Sequence, residues 1–182
     1  MSSFPGLTSG TWTVDPTHTE VGFVARHLMV AKVRGRFATV AGTVTVGDTL
    51  ADTSVQASVE TASVSTNQAD RDAHLRSGDF FDSDTYPAMI FASTSVTEDS
   101  MTGELTIKGE THPVTFELEF DGVQADPWGN TKAGFTATTV IKRDEWGLSW
   151  GNTPLDKGGV MLGNDVALTI EVQADLQQDA AA

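Results

Sequence analysis

Four histidines, His18, His27, His74 and His112, are the side chains of this sequence best suited to proton transfer or metal ligation. His18 and His27 flank one strand at a separation that sets them on opposite faces unless the strand bends. Asp70 and His74 stand at i and i+4, which puts a carboxylate and an imidazole on one helix face. "DFFDSDTYP", residues 79–87, gathers three carboxylates but lacks the calcium-loop pattern. Cysteine is absent, so thiolate sites and disulfides are excluded. The sequence has no Gly-x-Ser-x-Gly elbow, no Gly-rich phosphate loop and no His-Glu-x-x-His helix. The histidines are read as solvated or structural, and no metal, cofactor or catalytic residue is assigned. Arg143, in "KRDEWGL", is placed to pair with a phosphate or with the neighbouring Asp144 and Glu145.

The elements that must position these groups are strands. Thr and Val are abundant, and both favour half-buried pleated surfaces. Period-2 alternation marks segments 11–15, 20–26, 36–46, 54–61, 89–96, 101–120, 132–142 and 165–174. In 36–46, Phe37 is out of phase with Val40, Val44 and Val46, so a bulge is expected between 37 and 40. Lys108-Gly109 supplies the turn of a hairpin across 101–120. About eight long strands with one apolar face each call for a sandwich or a closed barrel, and closure removes exposed edges. Residues 1–10 are expected to be a flexible lead, 11–175 a single domain and 176–182 a flexible tail.

One insert breaks the pattern. "STNQADRDAHLRSG", residues 65–78, predicts a short helix, with Ser65 and Gln68 as a capping box, Asp72 and Arg76 as an i,i+4 pair and Gly78 as terminator. Its apolar content is thin, so it must lie on a surface, tethered by Phe80 and Phe81. The expected result is a helical cap over one side or end of a β-structure.

These segments carry a resemblance. "WTVDPTHTEVGFVARH", "GRF", "RDAHLRSGDFFDSDTYPAMIF", "GELTIKGETHPVTFELEF" and "RDEWGL", in that order, resemble the YceI-like, polyisoprenoid-binding family from about Thr11 to Ala174. The resemblance implies an all-β fold, an eight-stranded antiparallel lipocalin-like barrel with a short helical cap. It implies an apolar tunnel for an isoprenoid lipid, such as a polyprenyl phosphate or an isoprenoid quinone, held by a carrier or sequestering protein, and it implies a homodimer. A long apolar tube suits aromatic walls, since each unsatisfied polar atom in it is costly. The expected lining is Phe23, Phe37, Phe91, Phe116, Phe135 and Trp146, with Leu75, Phe80 and Phe81 from the cap. Arg26, Arg71 and Arg143 are the candidates for an anionic headgroup. "WGNTPLDKGGVMLGND", residues 150–165, is expected to be a Gly-rich flap.

Charge narrows the partners. The net charge is −14, which opposes nucleic-acid binding and adhesion to anionic membranes. The first residues, "MSSFPGLTSG", lack the basic and apolar regions of a signal peptide, and there is no stretch long enough to insert stably in a bilayer, so a cytoplasmic protein is expected. Two other readings remain open: an enzyme acting on a small apolar substrate in the same cavity, and a ligand-free, stress-related dimer with a packed-shut barrel.

Overall fold

The structure, a computed structural model, describes residues 4–178. Its strands are β1 (Gly10–Val14), β2 (Glu20–His27), β3 (Ala31–Phe37), β4 (Val40–Val46), β5 (Ser54–Glu60), β6 (Val64–Ser65), β7 (Ala88–Val96), β8 (Ser100–Ile107), β9 (Glu110–Ala125), β10 (Thr131–Lys142) and β11 (Leu162–Leu176). The one α-helix among the described residues, α1 (Ala69–Arg76), lies between β6 and β7.

Three strand positions are broken once each. β1 pairs with β11 at residues 174–176, and β2 continues along β11 from Glu171 to Leu162. β3 and β4 follow one another beside them, and β6 and β5 lie beside those. The breaks at 38–39 and 61–63 meet: Ala38 N donates to Ser63 O at 3.2 Å and Glu60 N to Thr39 O at 3.0 Å. With β7, β8, β9 and β10 the wall has eight positions, all antiparallel, and the β1–β11 pairing closes it. The irregularity expected after Phe37 is this break, which keeps Phe37 and Val40 both buried. Residues 31–35 belong to a strand that the alternation did not mark, because Lys32 and Arg34 alternate with Ala31, Val33 and Gly35, of which only Val33 is large and apolar.

The β8–β9 turn uses left-handed Lys108 and Gly109 (φ 51° and 78°), which suits the twist of a tight hairpin. The interior splits into two apolar groups. One surrounds Phe37, Phe91, Phe116 and Trp146; the other surrounds Phe4, Leu7 and Trp12. This second group takes in Phe4 and Leu7 of the segment read from sequence as a flexible lead. Phe4 is buried against Phe120 and Phe135, with ring centroids 4.8 and 5.7 Å away, so residues 4–10 stopper one end of the barrel. At the other terminus Leu176 still pairs with Trp12 in β11, and the last expected tail residues, 179–182, lie outside the described part, as do residues 1–3.

Candidate ligand-binding tunnel

Inside the barrel is a cavity of about 630 Å³, well within the range of small-molecule sites, about 300–1,000 Å³. Its wall is built by alternation. On β11 the residues that face it are Leu162, Val166, Leu168, Ile170 and Val172, every second residue apart from one irregular step. The irregular step sets four residues of β11 against two of β2, so at about 3.3 Å per residue this row runs roughly 26 Å along the strand, and the space is elongated. Val21, Val55, Val59, Met89, Met101, Leu105 and Leu118 add to the wall. Several inward residues, among them Val55, Leu118, Leu168 and Ile170, are only partly buried, because they face the hollow rather than a packed neighbour.

Two wall phenylalanines lie flat on glycines. Phe23 pairs in register with Gly35, and a β-carbon there would fall 2.2 Å from its ring. Phe91 covers Gly103 in the same way, at 2.4 Å. Missing side chains on β3 and β8 thus let both rings fold against the wall and leave the centre open.

The two ends differ. Phe4, Leu7 and Phe135 line the stoppered end. At the other end the bordering side chains include exposed His27, Asp70, Arg71 and Trp150, which mark the mouth. The cap closes over it. Phe80, His74 and Trp150 form an aromatic cluster with centroids 4.6–5.4 Å apart. Phe81 meets Phe37 edge-on at 5.5 Å, and Phe37 meets Phe23 at 5.6 Å.

Polar bonds hold the cap beside the phenylalanines. Gln68, not Ser65, caps α1, its side chain accepting from Arg71 N. The expected Asp72–Arg76 pair does not form. Buried Asp72 instead accepts from Thr66 N and Thr66 Oγ1 at 2.7 and 2.6 Å, while Arg76 donates to the carbonyls of Ala62 and Val64. Lys108 Nζ donates to Gly78 O at 2.9 Å, tying the β8–β9 turn to the insert.

Of the nine expected lining residues, Phe23, Phe37, Leu75, Phe80, Phe81, Phe91, Phe116 and Phe135 border the cavity. Trp146 does not: it sits in the helical turn after β10, is buried, and its Nε1 donates to Leu105 O at 2.9 Å. The three arginines separate. Arg26 is exposed on the outer face of β2. Arg71 borders the mouth, with Nε on Thr66 Oγ1 and Nη2 on Thr66 O at 2.7 and 2.9 Å, which leaves Nη1 without a partner among the described residues. Arg143 borders the cavity but is buried, and pairs with neither Asp144 nor Glu145. Its five N–H groups meet five oxygens: Gly163 O, Leu148 O, Trp150 O, Leu162 O and Asn152 Oδ1. It clamps the flap 148–163 onto the barrel. Burial lowers its pKa, with Asp144 opposing the shift.

The histidines do not assemble. His18 Nδ1 meets Asp15 Oδ2 at 2.8 Å, His74 Nε2 meets Asp79 Oδ2 at 2.8 Å rather than Asp70, and His112 lies edge-on to Trp146. Hydrogen bonds from Thr17 and His18 hold the Asp15 carboxyl well below the usual range. The described residues hold no group of three or more His, Asp or Glu side chains placed for a metal. No helix among them is long and apolar enough to cross a membrane.

A family model for the YceI-like domain matches residues 12–174. The chain belongs to the YceI-like family. A UPF0312 protein of Staphylococcus aureus is 38% identical over 172 residues, which covers 92% of this chain and 98% of that relative. The YCEI protein of Campylobacter jejuni superposes with a TM-score of 0.69 at 28% identity, covering 84% of this chain and 90% of that one. A polyisoprenoid binding domain from Saccharophagus degradans, implicated in plant cell wall breakdown, shares the fold at a TM-score of 0.71 and 13% identity, covering 91% of this chain and 98% of that one.

The aliphatic wall residues were legible as a face of each strand, since the alternation of Val166, Leu168, Ile170 and Val172 sets them together. His27 continues the inward row of Val21, Phe23 and Ala25 on β2, whereas Trp150 at the mouth had no such signal, because its place depends on how the flap folds back.

Proposed function

We propose that the tunnel holds one long-chain isoprenoid lipid, and that the protein is its carrier or sequestering protein rather than an enzyme. The observation that carries this is the form of the cavity: long, apolar, stoppered by Phe4 and Leu7, and bordered by charged side chains only toward the mouth. A chain of isoprene units fits such a space, with its head at the mouth. The polyisoprenoid binding domain of Saccharophagus degradans, which shares the fold, supports the same ligand class. Phe23, Phe37, Leu75, Phe80, Phe81, Phe91, Phe116 and Phe135 contact the lipid in this reading. Arg71 is the headgroup partner, since its Nη1 keeps free donors among the described residues; Arg143 has none left. The headgroup is a phosphate or a quinone, and the protein works as a homodimer.

A hollow interior speaks against the packed-shut, ligand-free barrel. The lack of paired polar groups deep in the wall speaks against catalysis.

Native mass spectrometry of the purified protein, followed by organic extraction, tests the reading. A discrete added mass that matches an isoprenoid is expected, and the extracted species names the headgroup. Leu168→Trp, which fills the tunnel, and Phe81→Asp, which charges its mouth, are each expected to abolish retention. A bare mass that stays bare after incubation with polyprenyl phosphate and with an isoprenoid quinone overturns it.

A further inference from the structure

The cations of this chain are segregated. No acidic residue lies between Glu20 and Asp48, yet four of the 11 Lys and Arg residues do: Arg26, Lys32, Arg34 and Arg36. All four are exposed on the outer face of the β2–β3 hairpin, and the register sets Arg26 opposite Lys32. None makes an ion pair or a side-chain hydrogen bond among the described residues. The other cations are mostly engaged: Lys132 and Lys142 hold Asp175 and Asp165, while Arg71, Arg76, Lys108 and Arg143 bond to Thr66 or to backbone carbonyls.

The tip of the same hairpin is apolar. Leu28 and Met29 are each 43% exposed and Val30 is 84% exposed. Leu28 and Met29 both have positive φ, 51° and 61°, a conformation that a tight turn normally assigns to Asn or Gly. Turn chemistry therefore does not explain an apolar tip; it is kept against a conformational cost. The tip also stands beside the mouth. Leu28 N donates to Met161 O at 2.8 Å, Met29 lies against Gly159, and the flap that carries these residues also carries exposed Trp150.

We propose that the β2–β3 hairpin docks the protein on an anionic lipid bilayer, the four cations meeting headgroups while Leu28, Met29 and Val30 enter the interface, so that the tunnel mouth faces the membrane. The use of this surface for loading a lipid rests on the function proposed above; the docking itself does not. A basic face with an apolar edge matches the charge and polarity profile of such a surface. The net charge of −14 argued against anionic membranes, but exposed charges more than about 8 Å apart are largely screened at physiological salt, so the local patch governs contact. A second copy is a poor occupant, since a two-fold pairing of this face sets its cations against themselves.

Vesicle flotation tests this, with phosphatidylcholine alone and with phosphatidylcholine mixed with phosphatidylglycerol, both free of isoprenoid. Binding to the anionic vesicles is expected, with little to the neutral ones and loss in high salt. Lys32→Glu with Arg34→Glu is expected to weaken it at least about tenfold, and Met29→Asp with Val30→Asp to weaken it as well, both variants keeping the wild-type thermal unfolding. No flotation of the wild type, equal flotation on both vesicles, or unchanged flotation of the charge-reversed variant overturns the proposal. So does a change in oligomeric state in its place, which would assign the hairpin to self-association. Isoprenoid retention in detergent, measured in parallel, separates the two claims: retention without flotation removes the docking alone, and flotation without retention removes the ligand alone.

Discussion

Arg143 shows what a single residue does here. Five oxygens take up its five N–H groups, and four of them are backbone carbonyls of the flap and the start of β11. Lysine keeps the charge but offers three donors from one point. Arg143→Lys is expected to cost about 3 kcal/mol in urea unfolding and to raise hydrogen exchange across 148–163 while leaving β7–β9 protected. From sequence, Arg143 drew attention for its charge and its acidic neighbours. Its real partners lie up to 20 residues away and exist only once the flap has folded back, so local spacing did not reveal them. Asp15 makes a second prediction. Its pKa is lowered by the bonds from Thr17 and His18, so its contribution is present above the unfolded carboxylate value, about 3.9, and is lost as pH falls below it. The melting temperature of Asp15→Asn is expected to lie below wild type at neutral pH and to converge with it in acid.

Elements fall into two kinds by how they are held. The strands are set by alternation, and most were legible for that reason: the inward residues of β9 and β11 are the ones whose periodicity stands out. β3 was missed beyond its last residues because its outer face is nearly all charge and its inner face carries a glycine, Gly35, where a ring from the next strand fills the space. The cap is of the other kind. Its existence was legible from its composition; its fastening was not, because Asp72 bonds back to Thr66 rather than along the helix. Asp72→Ala leaves a buried N–H without a partner, a loss of about 1–3 kcal/mol. Limited proteolysis is expected to cut first within 65–87 in this variant. Gly103→Ala is expected to act through the wall instead. Its β-carbon would fall 2.5 Å from Ala92 O as well as against Phe91. The ring must swing into the tunnel, so both stability and lipid retention should drop, by about 1–3 kcal/mol for stability.

At the scale of the whole molecule the barrel behaves as one container, and a ligand that binds only the folded form must stabilise it. At 100 times its dissociation constant that is about 2.7 kcal/mol, or a rise of roughly 5–11 °C in melting temperature for a chain of this size. Scanning calorimetry with and without added isoprenoid checks it, and Leu168→Trp should show no rise. The number and length of the apolar-faced strands left a sandwich or a closed barrel, the family resemblance pointed to the barrel, and neither showed where the ring joins. The join sets Trp12 against Leu176 and Val14 against Ala174, at opposite ends of the sequence. During synthesis, then, seven of the eight wall positions are made before β11 exists, and until it pairs the interior is an open apolar trough. Sealing waits on the last strand of the ring, and a lipid or a chaperone has that interval in which to cover the trough from the side.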